Sequence, residues 1–335
     1  MKHDVRFFHA LTPRCFPSVL FSAILAISGI GAAPAYAQWK PARDVEFVVP
    51  FGAGGGADLM ARVIAKVITD QKLIPTSVNI NNKAGGGTSV GIAYVVNNKH
   101  RDPHTLVLIN PQSQITPIRI AGSSGWRDLT PLSNFMLDDY LMITDKDSPY
   151  QSAKDLVAAA RKMPPRTLSI ASSGPADDMA IAVFEAATGV SFKIVRFDGG
   201  GRMQTMLMGK HVDLGVGNPL EYMGQIKAKN IRVLGVFKPT RFALMDDVPT
   251  MKEQGIDTVP FQMWRGVAVP KDIPADAMKF WSDVMKKVTA SKEFKEYVAT
   301  NMATEHVLIG ADFQNFLAQQ ETLYRDMLRR LKEGK

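Results

Sequence analysis

The sequence predicts an α/β fold of repeated strand–helix–strand units, and three observations carry that prediction. Short β-rich apolar runs alternate with stretches of helical periodicity along most of the chain. The connections between them are short. Gly- or Ser-rich clusters stand where strands pass into helices, at Gly52–Gly56, Ala84–Gly87, Ser172–Gly174 and Asp198–Gly201. Repeated units of this kind imply a mostly parallel sheet covered by helices on both faces.

Val45–Val49 reads as the first strand. The helix after Gly52–Gly56 carries Met60, Val63, Ile64, Val67 and Ile68 at i, i+3, i+4, i+7, i+8 spacing, one buried face. Thr76–Asn81 is the next strand, Thr88–Val96 a second helix and Thr105–Ile109 a third strand. A second set starts with a strand at Tyr140–Thr144, a helix at Ala153–Arg161 and a strand at Leu168–Ala171. Pro175 suits the first turn of the following helix, where Asp177 and Asp178 favour the dipole. Phe192–Phe197 is a strand, followed by a helix that Gly209 stops. Val212–Val216 and Val233–Phe237 are further strands. A turn-rich region, Lys238–Asp257, precedes a strand around Gln262–Val269, and from Ala275 the chain is chiefly helical, with a short strand at Val307–Ile309.

The N-terminal residues read differently. Lys2, Arg6 and Arg14 precede an apolar run from Phe16 to Ile30, and Ala35-Tyr36-Ala37 supplies a small-x-small site. That pattern describes a secretory leader, cleaved after Ala37. The run falls short of the ~20 apolar residues that cross a bilayer, and Pro17 interrupts its start. The single cysteine, Cys15, follows Thr12-Pro13-Arg14, which is not a lipid-attachment context. The mature chain is therefore expected to be soluble and free of disulfides, with its stability supplied by its core.

Loss of Lys2, Arg6, Arg14 and Asp4 with the leader lowers the formal net charge from +8 to +6. The remaining basic residues are interleaved with acids, as in Lys292-Glu293-Phe294-Lys295-Glu296. No basic run with interleaved aromatics offers a nucleic-acid surface, and an exported protein is expected to meet none.

A glycine cluster after a strand lets main-chain N–H groups at a helix N-terminus approach an anion without Cβ atoms in the way. Alone, it is as well explained by a tight turn. Four such junctions, all at the carboxyl ends of strands, point to a crevice lined by N–H donors. Asp58 can cap its helix or accept from a ligand hydroxyl or ammonium group. Phe51 is a core or flap residue beside the glycines. Ser172 and Ser173 cap the next helix or bind an anion there. Asn218, before Pro219, is a turn residue or a polar contact.

Val48-Val49-Pro50-Phe51-Gly52-Ala53-Gly54-Gly55-Gly56-Ala57-Asp58 with Ala61-Arg62 resembles the opening signature of the Bug family, the periplasmic receptors of tripartite tricarboxylate transporters. The match continues in order through Asn82-Lys83-Ala84-Gly85-Gly86-Gly87, Ser172-Ser173-Gly174, Asp198-Gly199-Gly200-Gly201 and Arg241. Val248-Pro249-Thr250, Glu253-Gln254-Gly255 and Trp264-Arg265-Gly266-Val267-Ala268-Val269-Pro270 complete it. The chain departs from the pattern at Asn81-Asn82, at Arg101 to Leu106, and at Phe197-Asp198, where an acid replaces a basic residue.

The resemblance implies a type II periplasmic-binding fold. Lobe one would be 38–137 plus 267–335 and lobe two 138–266, with strands crossing between them and a ligand in the cleft. It implies a periplasmic receptor that captures a small carboxylate and delivers it to membrane transporter subunits, without a cofactor. The ligand contacts would be Phe51, Gly52, Ala53, Gly54, Gly55, Asp58, Ser172, Ser173, Gly174, Asp198, Gly199, Gly200 and Asn218. Main-chain donors would hold the carboxylate, with no single Arg or Lys decisive.

The alternative is an exported α/β enzyme using the glycine loop for an anionic substrate. Gly52-Ala53-Gly54-Gly55-Gly56-Ala57 formally matches a dinucleotide fingerprint, but Pro50-Phe51 separates it from the strand and Asn81-Asn82 supplies no acid for a ribose. No G-x-S-x-G elbow occurs, and no His is tied by spacing to Ser172 or Ser173. Pro103 keeps His100 and His104 off one helical face, so no metal site is expected. A structural envelope protein is the third class, and it leaves the glycine junctions unexplained.

Overall fold

Residues 39–333 are described by the computed structural model of the chain, and the leader expected at residues 1–37 lies outside them. The chain runs β1 (Val45–Val49), α1 (Gly56–Asp70), β2 (Val78–Asn82), α2 (Ser89–Asn98), β3 (Thr105–Ile109), α3 (Gln112–Arg119) and β4 (Leu129–Asp139). It continues with β5 (Leu141–Asp145), α4 (Ala153–Ala160), β6 (Ser169–Ser172), α5 (Pro175–Thr188), β7 (Lys193–Arg196), α6 (Gly200–Met208), β8 (Leu214–Gly217), α7 (Pro219–Lys227) and β9 (Ile231–Val236). It closes with β10 (Gln262–Pro270), α8 (Ala275–Ala290), α9 (Lys292–Thr300), β11 (Thr304–Ile309) and α10 (Ala311–Glu333).

Two sheets organise these elements into two lobes. One is six-stranded, in the order β11-β4-β10-β3-β1-β2, and the other five-stranded, β7-β6-β8-β5-β9. Both are mixed, where the sequence pattern suggested mostly parallel pairing. The helix-linked neighbours β1–β2, β1–β3, β6–β7 and β6–β8 are parallel. The strands by which the chain changes lobe, β4, β5 and β10, pair antiparallel with their neighbours. The chain leaves the first sheet at Tyr140, between β4 and β5, and re-enters it in β10. The β4–β10 ladder extends from Gln262 opposite Asp139 to Pro270 opposite Leu129.

Each lobe has its own core. Met60, Ile64, Val67 and Ile68 of α1 are fully buried, as their spacing requires, and pack with Phe47, Trp281 and Val284. Ile170, Phe184 and Leu234 anchor the other core. The last helix joins both: Phe313 and Leu317 pack with Trp264, whereas Tyr324 and Met327 pack in the cluster of Tyr140 and Phe261. Trp264 Nε1 donates to the Tyr324 hydroxyl at 3.0 Å. Among the described residues no helix is long and apolar enough to cross a membrane.

Candidate functional site

Strand-to-helix junctions from both lobes meet at a cavity of about 490 Å³. From the first lobe come Phe51, the Gly85–Thr88 loop before α2, and Gln112, Thr116 and Arg119 on one face of α3; from the second come Ser173, Gly174, Asp178, Arg196 and Asp198. The N-termini of α2, α3 and α5 therefore open onto one space, and their partial positive charges favour an anion there.

The Gly85–Thr88 loop is unusual in its backbone. Gly85, Gly86, Gly87 and Thr88 have φ of 127°, 56°, 57° and 83°. The last is a β-branched residue in the left-handed region, which other contacts must hold in place. A Cβ at Gly87 would lie 2.9 Å from the Pro175 ring across the cleft, and one at Gly174 would lie 2.4 Å from Gln112 Oε1. Two buried polar atoms on the cavity wall, Thr88 Oγ1 and Gln112 Oε1, have no hydrogen-bond partner within the protein.

Of the residues singled out in the sequence, Phe51, Ser173, Gly174 and Asp198 line this cavity. The glycine loops lie next to it and press against each other. Gly52 N donates to Asp198 O at 2.9 Å. A Cβ at Gly55 would lie 3.1 Å from Gly200 N, and one at Gly199 3.2 Å from Gly52 N. Main chain meets main chain here, so Gly52, Ala53, Gly54, Gly55, Gly199 and Gly200 form a contact between the lobes.

Other donors in these loops are also satisfied by protein groups. Gly54 N donates to Asp58 Oδ2 at 2.9 Å and Gly56 N to Glu221 Oε1 at 3.1 Å. The N-terminus of α1 thus holds a carboxylate belonging to the other lobe. Asp58 is buried and accepts from Gly54 N, Arg62 and Asn82. Against the upward push of burial, those bonds hold its carboxyl below the usual range. Its geometry is that of a group fixing the loop. Ser172 Oγ donates to Asp178 Oδ1 at 2.8 Å. Ser173 gives both its N–H and its hydroxyl to Asp177 Oδ2 at 2.6 Å. Asn218 donates to Asp139 O and accepts from Arg265.

Sequence reasoning missed Thr88, Gln112, Thr116, Arg119 and Arg196 as cavity residues. Polar residues at i, i+4 and i+7 after β3 were a readable signal for the α3 face. Arg119 NH1 and Arg196 NH2 both bind Asp178 Oδ2, at 3.0 and 2.8 Å. Basic side chains therefore do stand in the cleft.

Behind the glycine contact lies a buried charged cluster. Arg265 of β10 pairs with Asp138 of β4 at 3.0 Å, both fully buried. Burial outweighs the pull of Arg265 and pushes the Asp138 carboxyl up to about 7. Burial, aided by the nearby Glu221, likewise raises Asp177 to about 7. A carboxyl raised in the folded state contributes stability that is complete below its unfolded value and is lost as pH rises through the folded one. Asp58, Glu46, Asp102 and Glu321 are held low, so their contributions are lost as pH falls through their depressed values. The melting temperature is expected to peak between about pH 4.5 and 6.5 and to decline towards pH 8.5. Calorimetric melts in a constant-ionic-strength buffer series check this, and a midpoint climbing steadily from pH 6 to 8.5 would contradict it. Among the described residues no group of three or more His, Cys, Asp and Glu side chains is placed to hold a metal ion.

Two α/β lobes on mixed sheets, joined by crossing strands and closed around a polar cavity, define a periplasmic-binding-protein fold. The model of the tripartite tricarboxylate transporter family receptor matches residues 60–331, and the chain belongs to that family. It is similar to the protein BugT of Bordetella pertussis, 25% identical over 88% of this chain and 91% of BugT. A protein of the ttuE–ttuC′ intergenic region of Agrobacterium vitis is 28% identical over 82% of this chain and 79% of its own length. Among solved structures, the periplasmic binding protein BugD superposes with a TM-score of 0.81 at 23% identity, over 87% of this chain and 98% of BugD. An R. palustris protein solved with adipate gives 0.77 at 24% identity, over 88% and 97%. MatC from Rhodopseudomonas palustris, with bound malate, gives 0.74 at 19% identity, over 88% and 99%.

Proposed function

We propose that this receptor is exported, loses its leader after Ala37, and captures a small carboxylate in the inter-lobe cavity for delivery to membrane transporter subunits. Its lobes are taken as 38–137 plus 267–335 and 138–266, and it performs no chemistry on its ligand. The observation that carries the reading is the cavity itself: three helix N-termini from two lobes converge on it, and it is lined by Thr88 and Gln112, whose buried Oγ1 and Oε1 have no partner within the protein. A buried polar atom left without a partner costs ~1–3 kcal/mol, which a polar ligand can offset. Adipate and malate in proteins of the same fold support the class of solute.

In this reading Phe51, Ser173, Gly174 and Asp198 contact the ligand together with the Gly85–Thr88 loop and Gln112. Gly52, Ala53, Gly54, Gly55, Asp58, Ser172, Gly199, Gly200 and Asn218 serve binding by holding the closed loops in register around it. The test is a thermal-shift screen of short carboxylates, each beside its primary amide, on protein unfolded and refolded to strip carried-over solute. A carboxylate at a hundred times its dissociation constant should add ~2.7 kcal/mol of stability. Equal shifts from acid and amide, or accumulation of a converted product, would sink the proposal.

A further inference from the structure

We infer that a groove beside the solute cavity, between α3, α5, β7 and the last turns of α10, docks an acidic and partly apolar polypeptide segment of the membrane partner. This rests on the receptor reading and says how the loaded form is recognised. The groove has a volume of about 610 Å³ and shares with the solute cavity only the wall of Arg119, Pro175, Asp178 and Arg196.

Its floor is apolar. Ile118, Met179, Ile194, Leu328 and Leu331 line it, and all but Met179 are only partly buried where they extend the core of the second lobe outwards. An uncovered apolar floor with a charged rim marks a contact site. The rim is basic. Arg119, Arg196, Arg325, Arg329 and Lys332 stand on it, and Asp178 is the one acid lining it among the described residues. The Asp178 side chain is 9% exposed, whereas Arg196, Arg325 and Arg329 are 57%, 59% and 58% exposed. Arg325 pairs with Glu321, and Arg329 with Asp326 and Glu333, but none of these acids lines the groove. Each guanidinium has five N–H donors, so these pairs leave donors over. Complementarity of charge calls for an acidic occupant.

The strand on one side favours a polypeptide over a lipid headgroup. Ile194 and Arg196 belong to β7, the edge of the five-stranded sheet, which among the described residues pairs only with β6. An extended segment can add to such an edge. Lys193 and Arg196 on that strand disfavour pairing with a neutral or basic chain and admit an acidic one. Arg119 comes from the first lobe and Arg196 from the second, and the ion pair of Arg119 with Asp178, at 3.0 Å, joins the two walls. The groove is therefore complete only while the lobes are together, and a segment seated in it selects that form.

Arg329→Gln with Lys332→Gln removes two rim cations that do not line the solute cavity. Arg329→Lys with Lys332→Arg keeps their charge, and Lys286→Gln with Lys292→Gln makes the same change of charge on α8 and α9. The probe is the short carboxylate that stabilises the wild type most in the thermal-shift screen, adipate and malate included. Calorimetry should give wild-type affinity for all three variants. Uptake of the labelled probe by the producing cells, with each variant in place of the wild type, should fall about tenfold or more for the Arg329→Gln pair and stay within about twofold for the others. Phosphatidylglycerol vesicles at physiological salt should retain the Arg329→Gln pair and the wild type alike. Full uptake with the Arg329→Gln pair, an equal loss in the charge-keeping pair, or weakened carboxylate binding by the Arg329→Gln pair overturns the docking surface and leaves the receptor reading standing. Vesicle retention that the Arg329→Gln pair alone loses makes the occupant a lipid and overturns it too. No stabilisation of the wild type by any carboxylate overturns the receptor reading itself.

Discussion

Replacing Gly201 by valine is expected to weaken ligand capture about a hundredfold while leaving the protein about as stable as before. Gly201 lies inside α6, where a side chain is compatible with the backbone and helix propensity favours it over glycine. A Cβ there would sit 2.9 Å from Ala53 O and 3.2 Å from Gly54 C, both main chain of the opposite lobe. Main chain at a tight turn has little freedom to yield, so the conflict falls on closure and not on folding. If the closed form becomes ~3 kcal/mol less favourable, the apparent affinity falls about a hundredfold. Small-angle scattering should show wild type contracting with saturating ligand and the variant unchanged. Gly224→Val is the control, since a Cβ at this position of α7 meets nothing within 4 Å. Wild-type affinity in the Gly201 variant would show that the two loops do not meet in the bound state.

At pH 8, above the raised value of Asp138, Asp138→Ala is expected to destabilise the fold by ~3–5 kcal/mol, because it leaves Arg265 charged and buried without its counter-ion. Arg265 would retain only Asn218 Oδ1, at 3.2 Å. Asp138→Leu combined with Arg265→Met should recover much of that loss, since apolar groups of similar volume can replace a buried pair. Urea unfolding of the two single variants and the double variant measures this directly. A cost below about 1 kcal/mol for Asp138→Ala would mean that water reaches Arg265 and that the pair is not dry.

The fold was legible where hydrophobic periodicity met turn chemistry. Val45–Val49 and Thr105–Ile109 are strands with the limits their apolar runs suggest, and α1 buries the predicted stripe except at Val63, which is half-buried. The long β4 was not legible. Pro131 interrupts it and two acids end it, yet Asp138 and Asp139 are buried, one against Arg265 and the other against Gln262. A charged residue looks like a loop signal until its partner, more than a hundred positions away, is known. For the same reason α3 and α7 escaped notice: Gln112–Thr116 is polar but buried at the lobe boundary, and α7 opens with Asn218-Pro219 and reads as a turn.

The glycine junctions were easy to find and hard to interpret. A missing Cβ admits an anion or another stretch of main chain equally well, and sequence does not say which. Gly52 and Gly201 turn out to face backbone of the opposite lobe, and Gly87 faces the Pro175 ring. Gly54 is needed for another reason, its φ of +80°, since nothing lies within 4 Å of its Cβ position. Arg119 and Arg196 were invisible as a pair because only the closed lobes bring them to one oxygen atom.

Glu221 seated on the N-terminus of α1 ties that junction to the opposite lobe. With Gly56 N committed to this carboxylate while the lobes are together, that junction is occupied by a group of the protein itself. The lobes meet through the main chain of the glycine loops, Glu221 and the Arg119–Asp178 ion pair, and Phe51 and Asp198 of those same loops line the cavity. A substitution at Arg119 therefore alters a lobe-to-lobe contact and the cavity wall together.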